Sequence, residues 1–166
     1  MRAALPAIFF AAVMIVYTLQ SFTALAQTVI LVRHGEKQDT SPDPVLSAQG
    51  EARAALLANM LAASGIRAIY TTEYQRTKLL AAPIAKRLGV VPVIIAAKET
   101  DALLTKIRRH ARDDVMLVVG HSNTLTAILK GLGHAENVTV TEEDFDNLFI
   151  VAMQAGGAPT VVRLKY

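Results

Sequence analysis

A three-layer α/β/α sandwich around a mostly parallel sheet is the architecture this sequence predicts. Three observations carry the prediction. Runs rich in β-branched residues alternate with segments of helical periodicity, the pattern of a parallel sheet covered on both faces. Two of those runs, Thr28-Val29-Ile30-Leu31-Val32 and Val115-Met116-Leu117-Val118-Val119, are apolar at consecutive positions, as strands buried on both sides are. Each of these two runs opens into a histidine, in Arg33-His34-Gly35-Glu36 and in Gly120-His121-Ser122-Asn123. Ligands of open α/β sheets sit beyond the carboxyl ends of strands, so the third observation also locates the candidate site.

The 166 residues divide into a leader and one domain. Met1 and Arg2 make a short positive start, Ala3 to Leu19 is apolar and almost uncharged, and Ala24-Leu25-Ala26 is an A-x-A cleavage pattern. This is the layout of a secretory signal peptide over residues 1–26, and it predicts a mature domain Gln27–Tyr166 in the periplasm or secreted. The competing reading is a retained anchor, since the stretch approaches the roughly 17–25 residues that span a bilayer. For the mature domain no membrane association is expected.

Within the domain, Thr28–Val32 is the first expected strand and the polar, proline-bearing Gln38–Pro44 a loop. Ser47 is placed to cap a helix over Ala48–Ala63 whose stripe is Leu56, Leu57, Met60 and Leu61, stopped by Ser64-Gly65. Ala68–Thr71 predicts a short strand, and Tyr74–Leu88 a helix ended by Gly89. Val90–Ile95 predicts a strand that Pro92 confines to an edge. Asp101–Ala111 predicts an amphipathic helix, with Arg108, Arg109 and Arg112 as a solvated end favourable to the helix dipole. Val115–Val119 is followed by a helix over Asn123–Leu132 and by a polar, partly helical connection over Gly133–Asp146. Leu148–Met153 and Thr160–Leu164 close the chain as a hairpin across Gly156-Gly157.

Composition excludes several function classes. There is no cysteine, which rules out disulfides, thiolate metal sites and cysteine nucleophiles. A net charge of +3, or +2 without Arg2, is too small for a nucleic-acid surface. Aromatic residues make up 5% of the chain and Trp is absent, against a stacking platform for single strands. No metal or other cofactor is expected: the two histidines lack ligands at recognised spacings, and the adjacent arginines repel cations. His110 and His134 are expected at a solvent-facing helix end and in a loop.

What remains is an anion site. A phosphate monoester carries about two negative charges near neutral pH. Arg33 and Arg76, each following a strand, offer guanidinium forks that match phosphate oxygens, and the helix starting near Ser122 offers free backbone N–H groups. His34 is placed to attack phosphorus as a neutral imidazole, and His121 to stabilise the transferring oxygens. Ser122 is either a helix cap or a hydroxyl on the phosphate. Asn123 is either a substrate donor or an ordinary first-turn residue. Glu99 and Asp101 follow the third expected strand, where they serve either as general acid or as capping residues. Glu36 is expected to orient the turn or to meet Arg33, and Asp146-Asn147 to form a turn.

Leu31-Val32-Arg33-His34-Gly35-Glu36 resembles the Arg-His-Gly signature of the histidine phosphatase superfamily, also called phosphoglycerate mutase-like. Thr71-Thr72-Glu73-Tyr74-Gln75-Arg76-Thr77 and Val119-Gly120-His121-Ser122 resemble its second and third segments, in the family's order. The resemblance covers essentially the whole mature chain. It implies the histidine phosphatase fold, His34 as the phosphorylated nucleophile, and a phosphate pocket of Arg33, Arg76 and His121. The short chain lacks room for the long insertions of the mutases and is more like the compact branch that includes phosphohistidine phosphatases. The expected substrate is a phosphorylated small molecule or an envelope phosphate. The alternatives are a mutase-type phosphotransferase and a non-catalytic phosphate- or phosphopeptide-binding domain.

Overall fold

The computed structural model describes residues 26–166. The predicted leader, residues 1–26, therefore lies outside the described residues except for Ala26. Among the described residues no helix is long and apolar enough to cross a membrane.

The expected architecture is present. Strands β1 (Thr28–Arg33), β2 (Ile66–Thr71), β3 (Val93–Ile94), β4 (Val115–Gly120), β5 (Asn147–Ala152) and β6 (Thr160–Lys165) form one sheet in the order β3-β2-β4-β1-β5-β6. The first four are mutually parallel, and the β5–β6 hairpin adds on antiparallel beside β1. Helices α1 (Ala48–Met60) and α2 (Gln75–Leu88) cover one face, and α3 (Thr100–Arg108) and α4 (Ser122–Gly131) the other.

The continuous apolar runs follow from this double cover. In β1 the pleat sends Val29 and Leu31 toward Leu125, Ile128 and Leu129, and sends Ile30 and Val32 toward Leu57, Leu80 and Ile84. β4 divides likewise, with Met116 and Val118 on one side and Leu117 and Val119 on the other. Burying one such side chain stabilises by roughly 1.5–3 kcal/mol, so these two strands anchor the domain. The same alternation places Arg33 on the face of Val29 and Leu31.

Register then assembles the site. Arg33 lies opposite Gly120 across the parallel β1–β4 pair, and the His34 N–H donates to the Gly120 carbonyl at 3.0 Å. His34 and His121 therefore leave the sheet side by side. Thr71 pairs with Val119, which brings the segment after β2 to the same edge.

Gly35 and Gly50 are required by a close approach of backbones. A Cβ on Gly50 would stand 2.5 Å from the Glu36 carbonyl oxygen, and one on Gly35 would stand 3.0 Å from the Gly50 Cα. The first turn of α1 thus presses directly on the loop that carries His34. Ser47 caps α1 as expected, accepting the Gly50 N–H at 3.2 Å. Gly89, at φ 66°, ends α2.

Several expectations are corrected. α1 ends at Met60, and its buried face is Gly50, Ala54, Leu57 and Ala58, leaving Leu56 and Met60 exposed. The intimate packing at Gly50 turns the small residues inward and rotates half of the expected leucine stripe to solvent. β3 shrinks to Val93–Ile94, at the predicted edge. The 133–146 connection contains no helix. Asn147 is not a turn residue but the buried first residue of β5, bound by Arg163 at 2.7 Å. Glu36 does not pair with Arg33; the Arg53 guanidinium takes it in a fork, at 2.6 Å from one oxygen and 3.0 Å from the other. His110 is not simply solvated, since it lies between the Tyr70 hydroxyl at 2.8 Å and Asp114 at 2.9 Å.

Candidate active site

His34, Arg76, His121, Ser122 and Asn123 surround one cavity of about 370 Å³ at the carboxyl ends of β1, β2 and β4, together with Lys37, Tyr74, Ala97 and Glu142. The two imidazole rings are 5.2 Å apart and steeply inclined, at 61°.

The His34 ring is held in one tautomer. Its Nδ1 lies 2.8 Å from the Gly35 carbonyl oxygen. A carbonyl only accepts, so Nδ1 carries the proton and Nε2 keeps its lone pair. Burial pushes the imidazole down to about 3, with the neighbouring Arg33, His121 and Arg76 adding to the effect and the Gly35 bond opposing it. His34 is therefore neutral at physiological pH, the form in which a histidine is a nucleophile.

His121 is the N-cap of α4. Its N–H donates to the Thr124 hydroxyl at 2.9 Å, and its Nε2 lies 3.0 Å from Thr72 Oγ1, which meets Thr77 Oγ1 at 2.9 Å. Burial, followed by the nearby Arg76, pushes this imidazole down to about 4. The chain of hydroxyls fixes the ring from behind, and the Tyr74 ring packs edge-on at 5.3 Å.

Arg76, in the first turn of α2, is the guanidinium that lines the cavity. Its Nε and Nη1 are buried without hydrogen-bond partners, and Asp43 stands 3.8 Å from Nη1, beyond hydrogen-bonding distance. The guanidinium is oriented by the Tyr74 ring, 4.3 Å from its centre. Asp43 belongs to the loop after His34 and also accepts the Gln75 N–H at 2.8 Å, so one carboxylate ties that loop to the start of α2.

Arg33 is placed differently from the expectation. It is fully buried and does not line the cavity. One amino group donates to the Thr141 carbonyl at 2.8 Å, the other to Glu142 Oε2 at 2.8 Å, and the Phe145 ring lies 4.2 Å from the guanidinium carbon. Glu142 in turn accepts from the Ser122 hydroxyl. That bond and Arg33 hold its carboxyl below the usual range, so at neutral pH Glu142 is an anion and not a proton donor.

Neither expected general acid reaches the cavity. Glu99 is exposed and lines a separate small crevice with Tyr70, Thr71 and Leu103. Asp101 is exposed in the first turn of α3. Sequence reasoning passed over Lys37, Tyr74, Glu142 and Phe145. Tyr74 lies within a recognised segment and Lys37 directly follows one, whereas Glu142 and Phe145 come from a connection without periodicity. No group of His, Asp and Glu able to hold a metal ion occurs among the described residues.

Residues 29–99 match the family model described as "Histidine phosphatase superfamily (branch 1)". That segment contains His34 and Arg76 and ends before His121. No curated protein sequence matches the chain. Among solved structures, the protein histidine phosphatase SixA complexed with tungstate is similar, with a TM-score of 0.70 at 15% identity over 83% of this chain and 96% of that one. Mycobacterial glucosyl-3-phosphoglycerate phosphatase with inorganic phosphate gives a TM-score of 0.69 at 12% identity, over 85% of this chain and 97% of that one. Phosphoserine phosphatase from Entamoeba histolytica, with 3-phosphoglyceric acid, gives 0.65 at 15% identity, over 84% and 96%. At these identities the likeness establishes the fold.

Proposed function

We propose that this chain, which belongs to the histidine phosphatase superfamily, hydrolyses a phosphomonoester or phosphoramidate through a phosphohistidine on His34, without a metal ion. The observation that carries the reading is the Nδ1 bond of His34 to the Gly35 carbonyl, beside His121 and within the cavity that Arg76 lines. It leaves Nε2 unprotonated toward an anion site.

In the first step Nε2 attacks phosphorus, the bond from phosphorus to the leaving group breaks, and the leaving group departs with its electron pair. Arg76 and His121 bind the equatorial oxygens, whose charge is spread in the transition state. Water then attacks the phosphohistidine, the P–N bond breaks, inorganic phosphate leaves and His34 returns neutral. Among the described residues that line the cavity the one carboxyl is Glu142, which is ionised and does not protonate the leaving group. This favours substrates that leave readily, such as aryl or acyl phosphates and phosphoramidates, over alkyl phosphates, and it disfavours a mutase reaction. The leader pattern at residues 1–26 supports an exported enzyme with a phosphorylated envelope component as substrate.

Hydrolysis of para-nitrophenyl phosphate in EDTA tests the proposal, with His34→Ala in parallel. Turnover resistant to EDTA and lost in the variant is expected. Equal turnover by His34→Ala excludes the mechanism. If acetyl phosphate and phosphohistidine also go unhydrolysed, the chain is a phosphate-binding module instead.

A further inference from the structure

We infer that Glu142 is an internal anion that occupies the cavity side of Arg33, and that a phosphoryl group reaches Arg33 only by exchanging with it. The inference rests on the reading of the histidine cavity as a phosphoryl site and adds a control element to that site.

Three observations carry it. Arg33 is fully buried, yet the only carboxylate it contacts among the described residues is on a side chain that is 69% exposed. Glu142 lines the cavity and Arg33 does not, so the carboxylate stands between the guanidinium and the space where His34, Arg76 and His121 converge. The two Glu142 oxygens take one donor each, from Arg33 and from Ser122, as two oxygens of a phosphoryl group would.

The two ends of this pair differ in enclosure. Arg33 is pinned by the Thr141 carbonyl and the Phe145 ring, and it is enclosed on all sides. Glu142 is a long side chain on an exposed loop, with 69% of its surface open to water. A phosphate dianion and the Glu142 carboxylate repel one another and share the same donors, so they do not occupy the position together. Exchange therefore happens at Glu142. The carboxylate keeps the buried guanidinium paired in the resting enzyme, yields to the substrate, and returns as inorganic phosphate departs. It weakens phosphate affinity in return for easier product release, and it makes Arg33 a ligand available only to groups anionic enough to displace a carboxylate.

The test is calorimetric titration of the full domain with inorganic phosphate at pH 7.5, comparing the wild type with Glu142→Gln and Glu142→Ala. Removing one competing charge-assisted hydrogen bond is expected to tighten phosphate binding by about tenfold or more. Steady-state inhibition by phosphate should tighten in parallel. A merely structural role for Glu142 moves the result the other way, by loosening Arg33 and weakening the affinity. Unchanged or weaker binding in both variants, with circular dichroism matching the wild type, overturns the inference. So does failure of wild type and variants alike to bind phosphate. Binding is read without turnover, so an inactive His34 pathway would count against the proposed reaction and leave this comparison standing.

Discussion

Acidification should destabilise this domain through its two site histidines. His34 and His121 are held neutral, at about 3 and about 4, by burial. The unfolded chain regains the ordinary histidine value near 6.5. As the pH falls through 6.5, the unfolded state takes up protons that the folded state refuses. Stability is thus fully present above about pH 7 and declines as the pH falls toward 4. At about 1.36 kcal/mol per pKa unit, each histidine removes about 2 kcal/mol between pH 7 and 5, or about 4 kcal/mol together. That is a large part of the ~5–15 kcal/mol that holds a typical domain together. Carboxylates do not confound this window, because their ordinary values lie near 4. Urea unfolding at pH 7, 6 and 5 measures the effect. His34→Gln and His121→Gln should each abolish about half of the pH dependence while keeping the amide in the ring's place. A wild-type stability flat between pH 7 and 5, or variants that fall as steeply as the wild type, would refute the argument that these rings are buried as neutral groups.

Other consequences are as direct. Arg76→Ala removes the guanidinium that lines the cavity, and should lower kcat/KM by about 10²–10³-fold, the cost of losing one oxyanion donor. Arg76→Lys should recover only part of it, because a point charge does not reproduce the fork. Gly50→Ala puts a Cβ 2.5 Å from the Glu36 carbonyl, against backbone that cannot give. It should cost about 1–3 kcal/mol in urea unfolding. It should also lower kcat, because the displaced Gly35–Glu36 segment sets the His34 tautomer. Gln at position 50 would be worse still, and a fully active, fully stable Gly50→Ala would show that the helix–loop crossing is looser than these distances state.

The parts of the fold visible in the sequence are those in which local pattern and burial coincide. β1 and β4 are buried on both faces, so each appears as an unbroken apolar run, and the histidines following them fall at paired strand ends because the two strands are neighbours in register. α1 was harder to phase. Leu56-Leu57 and Met60-Leu61 offer two adjacent stripes, and the choice between them is made by Gly50 and Ala54, whose small size lets the helix approach the His34 loop. Nothing in the apolar pattern records that contact. Glu142 was invisible for another reason. Its bond to Arg33 joins residues 109 positions apart, through a connection that has neither periodicity nor a capping signature. Glu99 and Asp101 illustrate the converse: proximity in sequence to a strand end did not bring their side chains to the cavity, because β3 is short and lies at the sheet edge, with two strands between it and β1.

In the proposed reaction His34 accepts the phosphoryl group, and trapping that adduct is the decisive measurement. The domain is mixed with an aryl phosphate, quenched within the first turnover in alkali, where phosphohistidine survives, and its peptides are mapped by mass spectrometry. A phosphorylated peptide containing His34 is expected, absent from His34→Ala and decaying in the wild type as phosphate appears. Turnover with no adduct at His34, or an adduct on another residue, would contradict the proposed reaction.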